Sequence, residues 1–498
     1  MKFKQIFLSG AACSLAGIGA VSAQEVNEKP NILFILVDDL GWMDLGCYGS
    51  DFYETPHIDR LASEGMRFTS AYTACPVSSP TRASYQTGKY PARLGITDFL
   101  MGRYANPKRK AEMDRVCPVL PPPLVANLPL TEKTIGSAFR ENGYKTIHIG
   151  KWHCAQDSLH FPHHHGYDVN IAGCSKGSPG NAGYFSPYEN PYLADGPEGE
   201  YLTDRLTDEC IRLIRDNKDK PFFLNLHYYQ VHTPLMAKQE KVDYFTDKAR
   251  RLGLDGKPAY NRDVPWKDKV PFEVSMAQRL IHSNPVYAAM ISHMDDNIGR
   301  LIEALKDSGL YDNTILVFYS DNGGLSIGGN APTSTLPLNG GKGYLYEGGV
   351  RVPLIIRWKD RIPADTLTDQ YISTVDFYPT LLEMAGLALQ PDQHMDGKSF
   401  LPVLNGDANF ERGPVFWHYP HYHNQGGRPS AAVRLNDYKL IRYYDTGELE
   451  LFNVKSDLGE KENLATNLIN KRNELNAVLD RWLEETGAKM PVKNPDFP

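Results

Sequence analysis

The sequence predicts an α/β fold: a large, mostly parallel sheet sandwiched by helices, followed by a smaller C-terminal α+β domain with an antiparallel sheet. Three observations predict it. Short apolar runs alternate with helix-like segments up to about residue 390. Those runs are mostly apolar, as in strands buried on both faces. Beyond residue 390 the pattern changes to short strands separated by polar turns.

The first strand spans Asn31 to Val37 and ends in Asp38-Asp39. Thr131 is placed to cap a helix running to Asn142, where Gly143 stops it. The strand Tyr144 to Ile149 then leads into Gly150-Lys151-Trp152-His153. A helix from about Thr203 to Arg215 precedes the strand Phe222 to Tyr228, which ends near His232. A long helix from about Val286 to Lys306 precedes the strand Thr314 to Tyr319, which ends at Asp321-Asn322. Further on, Ser430 to Val433, Lys439 to Tyr444 and Glu448 to Phe452 read as antiparallel strands, with an amphipathic helix from about Leu468 to Thr486. The chain divides into residues 1–23, 24–389 and 390–498. Each of four polar clusters follows a strand, and parallel sheets bind ligands beyond the carboxyl ends of their strands. Residues far apart in sequence are therefore expected to share one site.

Composition narrows the function. The 498 residues carry a formal net charge of −7, which argues against a nucleic-acid partner, whose phosphates require a basic surface. Lys2, Lys4, the apolar stretch Ile6 to Val21 and the site Val21-Ser22-Ala23 read as a signal peptide, so a periplasmic or secreted location is expected. No later run reaches the roughly 20 apolar residues of a membrane span. Six cysteines follow the signal and none form a C-x-x-C pair, which argues against a zinc cage and leaves disulfides and buried thiols equally open.

Asp38, Asp39, Asp321 and Asn322 offer hard oxygen donors at two strand ends, a set suited to a hard divalent cation such as Ca²⁺ or Mg²⁺. Alone, each pair reads more readily as a polar turn or loop; their common placement shifts both toward a metal. Between the first and second clusters lies Ser78-Ser79-Pro80-Thr81-Arg82, then Thr87-Gly88. Ser78 is placed as the N-cap of a helix with Pro80 in its first turn, and a helix N-terminus attracts anions.

This run resembles the signature of the sulfatase family, C/S-x-P-x-R followed by T-G. Counted from Ser78 the register fits; counted from Cys75 it places Val77 and Ser79 at the proline and arginine positions and fails. Gly150-Lys151-Trp152-His153, His232-Thr233-Pro234, Gly341-Lys342-Gly343 with Glu347-Gly348-Gly349, Tyr371 to Asp376 and Tyr438-Lys439-Leu440 also look like family blocks. Serine at 78 departs from the commoner cysteine. The resemblance implies that Ser78 is oxidised to formylglycine (3-oxoalanine) by a maturation enzyme that accepts serine. It further implies that Ca²⁺ is shared by Asp38, Asp39, Asp321, Asn322 and residue 78. Arg82 would hold the modified side chain, and Lys151 and Lys342 would contact sulfate. His232, with Lys342, would protonate the leaving oxygen, and His153 would be the base on the sulfated intermediate.

The implied substrate is a sulfated carbohydrate, attacked at its end, with a lean toward galactose or N-acetylgalactosamine. Asp98, Arg103, His421, His423 and Arg428 are the candidates for reading the sugar, with His163 to His165 as a further histidine run. The aromatic stretch Trp417 to His423 reads equally as a sugar-stacking wall and as a self-packed loop. Two rival functions are a phosphoesterase of the same superfamily and a sulfated-glycan-binding protein in which Ser78 stays unmodified.

Overall fold

A computed structural model describes residues 29–100, 107–264, 269–271 and 276–497. The segment read as a signal peptide and the sugar-contact candidate Arg103 lie outside the described residues. Among the described residues, one sheet collects nine strands. They are β1 (Asn31–Val37), β2 (Met66–Tyr72), β3 (Lys145–Gly150), β4 (Val169–Ile171), β5 (Phe222–His227), β6 (Thr314–Ser320), β7 (Arg351–Arg357), β8 (Thr366–Thr368) and β9 (Ile372–Ser373). Their order is β8-β2-β7-β6-β1-β5-β3-β4, with β9 also paired to β2.

β6, β1, β5 and β3 are parallel neighbours, and their ends are in register: Val37 lies opposite Ser320, and His227 lies opposite both Leu36 and Gly150. The residues that follow these strands are thereby delivered to one edge. β7 runs antiparallel to β2 and β6. Its amino end, which follows the Gly341–Gly349 loop, therefore lies at that same edge.

Both faces of the sheet are covered. Leu33, Ile35 and Val37 pack with α4 (Leu202–Asp216) and α6 (Pro285–Asp307), together with α1 (Pro56–Ser63) and α5 (Gln239–Arg251). Ile32, Phe34 and Leu36 pack with α2 (Ser78–Thr87), α3 (Ile135–Glu141) and α7 (Phe377–Met384). This explains why β1 is buried at every position and apolar from Ile32 to Val37: a parallel strand with helices on both sides has no solvent face.

Two local expectations are corrected. α3 is capped by Thr134, whose side chain accepts from Ser137 N at 3.1 Å, rather than by Thr131. Ser78 is the first helical residue of α2, and the N-cap is Val77 with no side-chain cap. The Ser78 hydroxyl is left for other partners.

The small sheet consists of β10 (Val415–Tyr419), β11 (Ser430–Leu435), β12 (Tyr438–Tyr443) and β13 (Leu449–Asn453), antiparallel in that order. One face packs Phe416, Val433, Leu440 and Leu451 on Leu475, Leu479 and Trp482 of α8 (Ile469–Glu485). Phe416 and Trp482 stack at 4.6 Å. The other face packs Trp417, Ala432 and Ile441 on Val77, Tyr344, Leu345 and Tyr346 of the large domain's loops. No helix among the described residues is long and apolar enough to cross a membrane.

Candidate active site

The strand-end residues meet. Ser78 Oγ, at the start of α2, lies 3.0 Å from Asp38 Oδ1 and 3.2 Å from Asn322 Oδ1, and it accepts from Lys151 Nζ at 3.1 Å. Lys151 Nζ also donates to Asp38 Oδ2 at 2.6 Å. Asp39 Oδ2 accepts from Lys342 Nζ at 2.7 Å and lies 3.6 Å from His232 Nε2. Asp39 Oδ1 accepts from Asn322 Nδ2 at 2.8 Å, which turns the amide oxygen of Asn322 toward Ser78. Arg82, one turn into α2, pairs with Asp321 Oδ2 at 2.8 Å and donates to Lys151 O at 2.9 Å.

Helix α2 is buried at every residue, which fixes these side chains tightly. It stops at Gly88 (φ 68°), where a Cβ would sit 2.5 Å from His394 Cβ. The Thr-Gly of the motif is thus a helix stop that only glycine satisfies. Gly150, at the end of β3, has φ 96° and would place a Cβ 1.9 Å from His227 O.

Asp38, Asp39 and Asp321 bring ligand oxygens within 4.8 Å of one another, all buried. Asn322 adds an amide oxygen beside them. Three carboxylates and an amide oxygen form a hard-donor set that fits Ca²⁺ or Mg²⁺. Burial pushes the Asp38 carboxyl up to about 7 despite Lys151, with Asp321 and Asp39 adding to the rise. A divalent cation offsets that repulsion and favours the anionic form. Burial opposes ionisation of Asp39 and Asp321 too, but Lys342 holds Asp39 and Arg82 holds Asp321 below the usual carboxylate range. Burial lowers Lys151, whereas Asp39 and Asp38 raise Lys342 against its own burial.

The two histidines differ in tautomer. His153 Nε2 faces Leu100 O at 3.2 Å and so carries the proton, leaving Nδ1 as a lone pair with no partner among the described residues. Burial, helped by Lys151, holds this ring well below the ordinary histidine range. His232 Nδ1 faces Thr233 O at 2.8 Å and carries its proton there. Burial and the Lys342 charge push His232 down to about 4.

These groups line a cavity of about 170 Å³ that includes Ser78, Lys151, His153, His232, Lys342 and His423. Sequence reading missed Phe99, Thr233, Leu325, Asn424 and Gln425, which complete its wall. Thr233 lies in the His232-Thr233-Pro234 block without being singled out there; no motif marks the others, and only the fold carries the 423–425 turn across to the loops of the large sheet. A more open hollow of about 520 Å³, lined by Arg351, Arg434 and Tyr371, contains none of the site groups.

Of the candidates for reading the sugar, His423 lines the cavity, whereas Asp98, His421 and Arg428 do not. Asp98 is buried and accepts from Tyr419 Oη at 2.8 Å and from Phe99 N at 2.9 Å. His421 is buried against Thr97 Oγ1 at 2.8 Å. Arg428 is held by Asp445 at 2.7 Å and by Glu448 at 3.2 Å, over the Tyr443 ring. Their polar groups are occupied in holding the loops and the small sheet. The wall read from Trp417 to His423 begins as strand β10, with Trp417 Nε1 bonded to Thr73 O at 2.7 Å. His163 and His164 form a short exposed turn, and His165 is buried beside Trp152.

A buried hydroxyl at a helix start, ringed by carboxylates, lysines and histidines at the edge of a parallel sheet, defines a hydrolase site for an anionic ester. Residues 30–387 match the sulfatase family model, and residues 341–489 match the model for the N-sulphoglucosamine sulphohydrolase C-terminal region. The chain belongs to the sulfatase family. It is 31% identical to a sulfatase of Formosa agariphila over 93% of this chain and 89% of that one. It is also 31% identical to the N-acetylgalactosamine-6-sulfatase of Canis lupus familiaris over 91% of this chain and 78% of that one. Its structure resembles that of Ps i-CgsB in complex with k-i-k-neocarrahexaose, with TM-score 0.72, 29% identity, and 92% and 93% of the two chains covered. The fold extends to a phosphonate monoester hydrolase of Agrobacterium radiobacter at 19% identity and TM-score 0.63, so fold alone does not select the ester.

Proposed function

We propose that this sulfatase removes sulfate from the end of a sulfated carbohydrate, using formylglycine made from Ser78 and a bound Ca²⁺. The observation that carries the reading is the setting of Ser78, held between Asp38, Asn322 and Lys151. A hydroxyl at that point, once oxidised, lies beside both the cation ligands and the sulfate-binding lysine. Asp38, Asp39, Asp321 and Asn322 hold the Ca²⁺. The ion supplies Lewis acidity toward the sulfate and the attacking oxygen. The hydrated aldehyde of formylglycine supplies that oxygen.

The chain's own residues bind and orient. Asp38, Asp39 and Asp321 balance Lys151, Lys342 and Arg82 one for one, so a divalent cation leaves the site positive and attractive to a sulfate ester. Lys151 and Lys342 place ammonium groups on the sulfate oxygens. Arg82 keeps Asp321 anionic and fixed. His232 enters neutral; the arriving sulfate charge offsets Lys342 and raises its proton affinity, so His232 with Lys342 protonates the leaving oxygen. His153, which lines the cavity and keeps Nδ1 unprotonated, is the base that follows.

The substrate class is inferred from the relatives. An N-acetylgalactosamine-6-sulfatase and a structure holding a neocarrahexaose both favour galactose-type sulfates. A cavity of about 170 Å³ admits the sulfate and its terminal sugar more readily than a chain passing through. We also propose export to the periplasm or beyond with loss of residues 1–23, maturation by an enzyme that accepts serine, and a division between catalytic and C-terminal parts near residue 390.

The deciding experiment is the mass of the Ser78 peptide from the native host, together with release of sulfate and phosphate from matched sugar esters. Oxidation lowers the peptide by about two hydrogens, as the activated nucleophile requires. Unmodified serine throughout removes the proposed nucleophile, and faster phosphate release selects the phosphoesterase reading.

A further inference from the structure

We propose that Lys439, on the small sheet, is a positioning residue for desulfation: through Glu347 it holds Lys342 in place. The inference rests on the role assigned above to Lys342. Lys439 lies on β12, fully buried, 3.0 Å from Glu347 Oε1, 3.0 Å from Glu460 Oε1 and over the Trp417 ring. Glu347 is held at every polar atom that leaves the loop. Its backbone N donates to Glu460 Oε2 at 2.7 Å, and its Oε2 accepts from Tyr72 Oη at 2.6 Å and from Arg351 Nη1 at 3.2 Å. One carboxylate is thus clamped by strands of both sheets.

A buried ion cluster is a poor way to gain stability, because desolvation consumes most of the attraction. It does fix geometry, and geometry is what the adjoining loop needs. Gly349 O accepts from Gly323 N at 3.0 Å, next to Asn322. Lys342 N donates to Gly324 O at 3.0 Å, and Gly348 N donates to Asn339 O at 2.7 Å.

The loop has no slack. A Cβ on Gly323 would lie 1.9 Å from Gly348 O, one on Gly348 2.5 Å from Asn339 O, and one on Gly349 2.0 Å from Tyr344 O. Close-packed backbone transmits a shift instead of absorbing it. Moving Glu347 therefore moves the Lys342 ammonium off Asp39. A misplacement of about 1 Å in such groups costs on the order of 100-fold in rate.

The test is a double-mutant cycle on the mature enzyme, with kcat/KM for desulfation normalised to the formylglycine-bearing fraction. Lys439→Met is expected to lower kcat/KM about tenfold or more, while Lys342→Ala/Lys439→Met falls no more than about threefold below Lys342→Ala alone. If the two losses multiply, Lys439 acts elsewhere and the positioning role is overturned, while the Lys342 reading stands. If Lys342→Ala alone leaves desulfation unchanged, the role of Lys342 fails first and the route through it fails with it. Lys439→Met/Glu460→Gln removes the Glu460 carboxyl along with the ammonium, so that Glu347 is the one acid left there and keeps Arg351 and Tyr72 as partners. The same non-additivity with Lys342→Ala is expected of it, and wild-type kcat/KM in this variant overturns the proposal.

Discussion

Asp39 shows how much one residue holds together. One carboxylate oxygen takes Lys342, the other takes Asn322, and its backbone N donates to Asp321 Oδ1 at 3.2 Å. Its φ of 61° is left-handed, a conformation that aspartate tolerates better than most residues. If this is a Ca²⁺ ligand, saturating Ca²⁺ raises the thermal midpoint, by roughly 2.7 kcal/mol of stability at 100 times the dissociation constant. Chelator lowers the midpoint again, and Asp39→Ala loses the response. A midpoint indifferent to Ca²⁺ and chelator in the wild-type protein refutes the metal assignment. A second prediction concerns His232. In its proposed role as proton donor, it matters in proportion to how badly the leaving oxygen needs a proton. His232→Ala is expected to slow release of a sugar sulfate by about 100-fold or more, and release of a nitrophenyl sulfate far less. Equal losses on both substrates would remove the acid role.

At the scale of elements, strand ends decide the site and glycines decide how closely they meet. Gly150 turns the chain from β3 into Lys151 where only a hydrogen fits beneath His227 O. Gly150→Ala is expected to reduce stability by about 3 kcal/mol or more, combining left-handed strain with steric overlap, and to reduce activity through Lys151. Gly253→Ala is the control: it shares the left-handed φ (62°) but has open space around it, so it costs only about 1–2 kcal/mol. Denaturant midpoints compare the two directly, and equal destabilisation would show that space at Gly150 is not limiting. The same elements show what is legible in a sequence. β1, β5 and β6 declare themselves because burial on both faces makes them mostly apolar. β2 does not, because Met66–Tyr72 mixes Arg67, Thr69 and Ser70 with its apolar residues and lies toward the sheet edge. β7 follows a glycine loop that masks its start. β10 hides as an aromatic, histidine-rich run although every residue in it is buried.

Across the whole molecule, the convergence of the charged groups on one cavity is readable because several of them follow neighbouring parallel strands. The cavity wall is less so, because the fold recruits Phe99, Leu325, Asn424 and Gln425 by position rather than by chemical type. Asp98 and Arg428 show a related point: a loop charge looks alike in sequence whether it lines this cavity or meets a partner within the protein, as both do. The seam between the two sheets was invisible for the same reason, and it yields a pH prediction. Burial and the Glu347 charge push Glu460 up to about 8 in spite of Lys439, while Lys439 and the neighbouring arginines keep Glu347 down at about 2 despite its burial. Between the ordinary glutamate range and about pH 8, the folded protein holds a proton on Glu460 that the unfolded chain has lost. Stability from this group is therefore complete at low pH and drains away as pH rises through about 8. Glu460→Gln keeps the hydrogen-bonding shape of the protonated acid and has no proton to lose. Its stability relative to wild type is expected to improve between about pH 5 and about pH 8.5, read as the difference in thermal midpoints at each pH. Taking the difference cancels the active-site carboxylates, which titrate alike in both proteins. A difference that stays constant across that range would mean that Glu460 is ionised throughout, and that Lys439 carries two carboxylates rather than one.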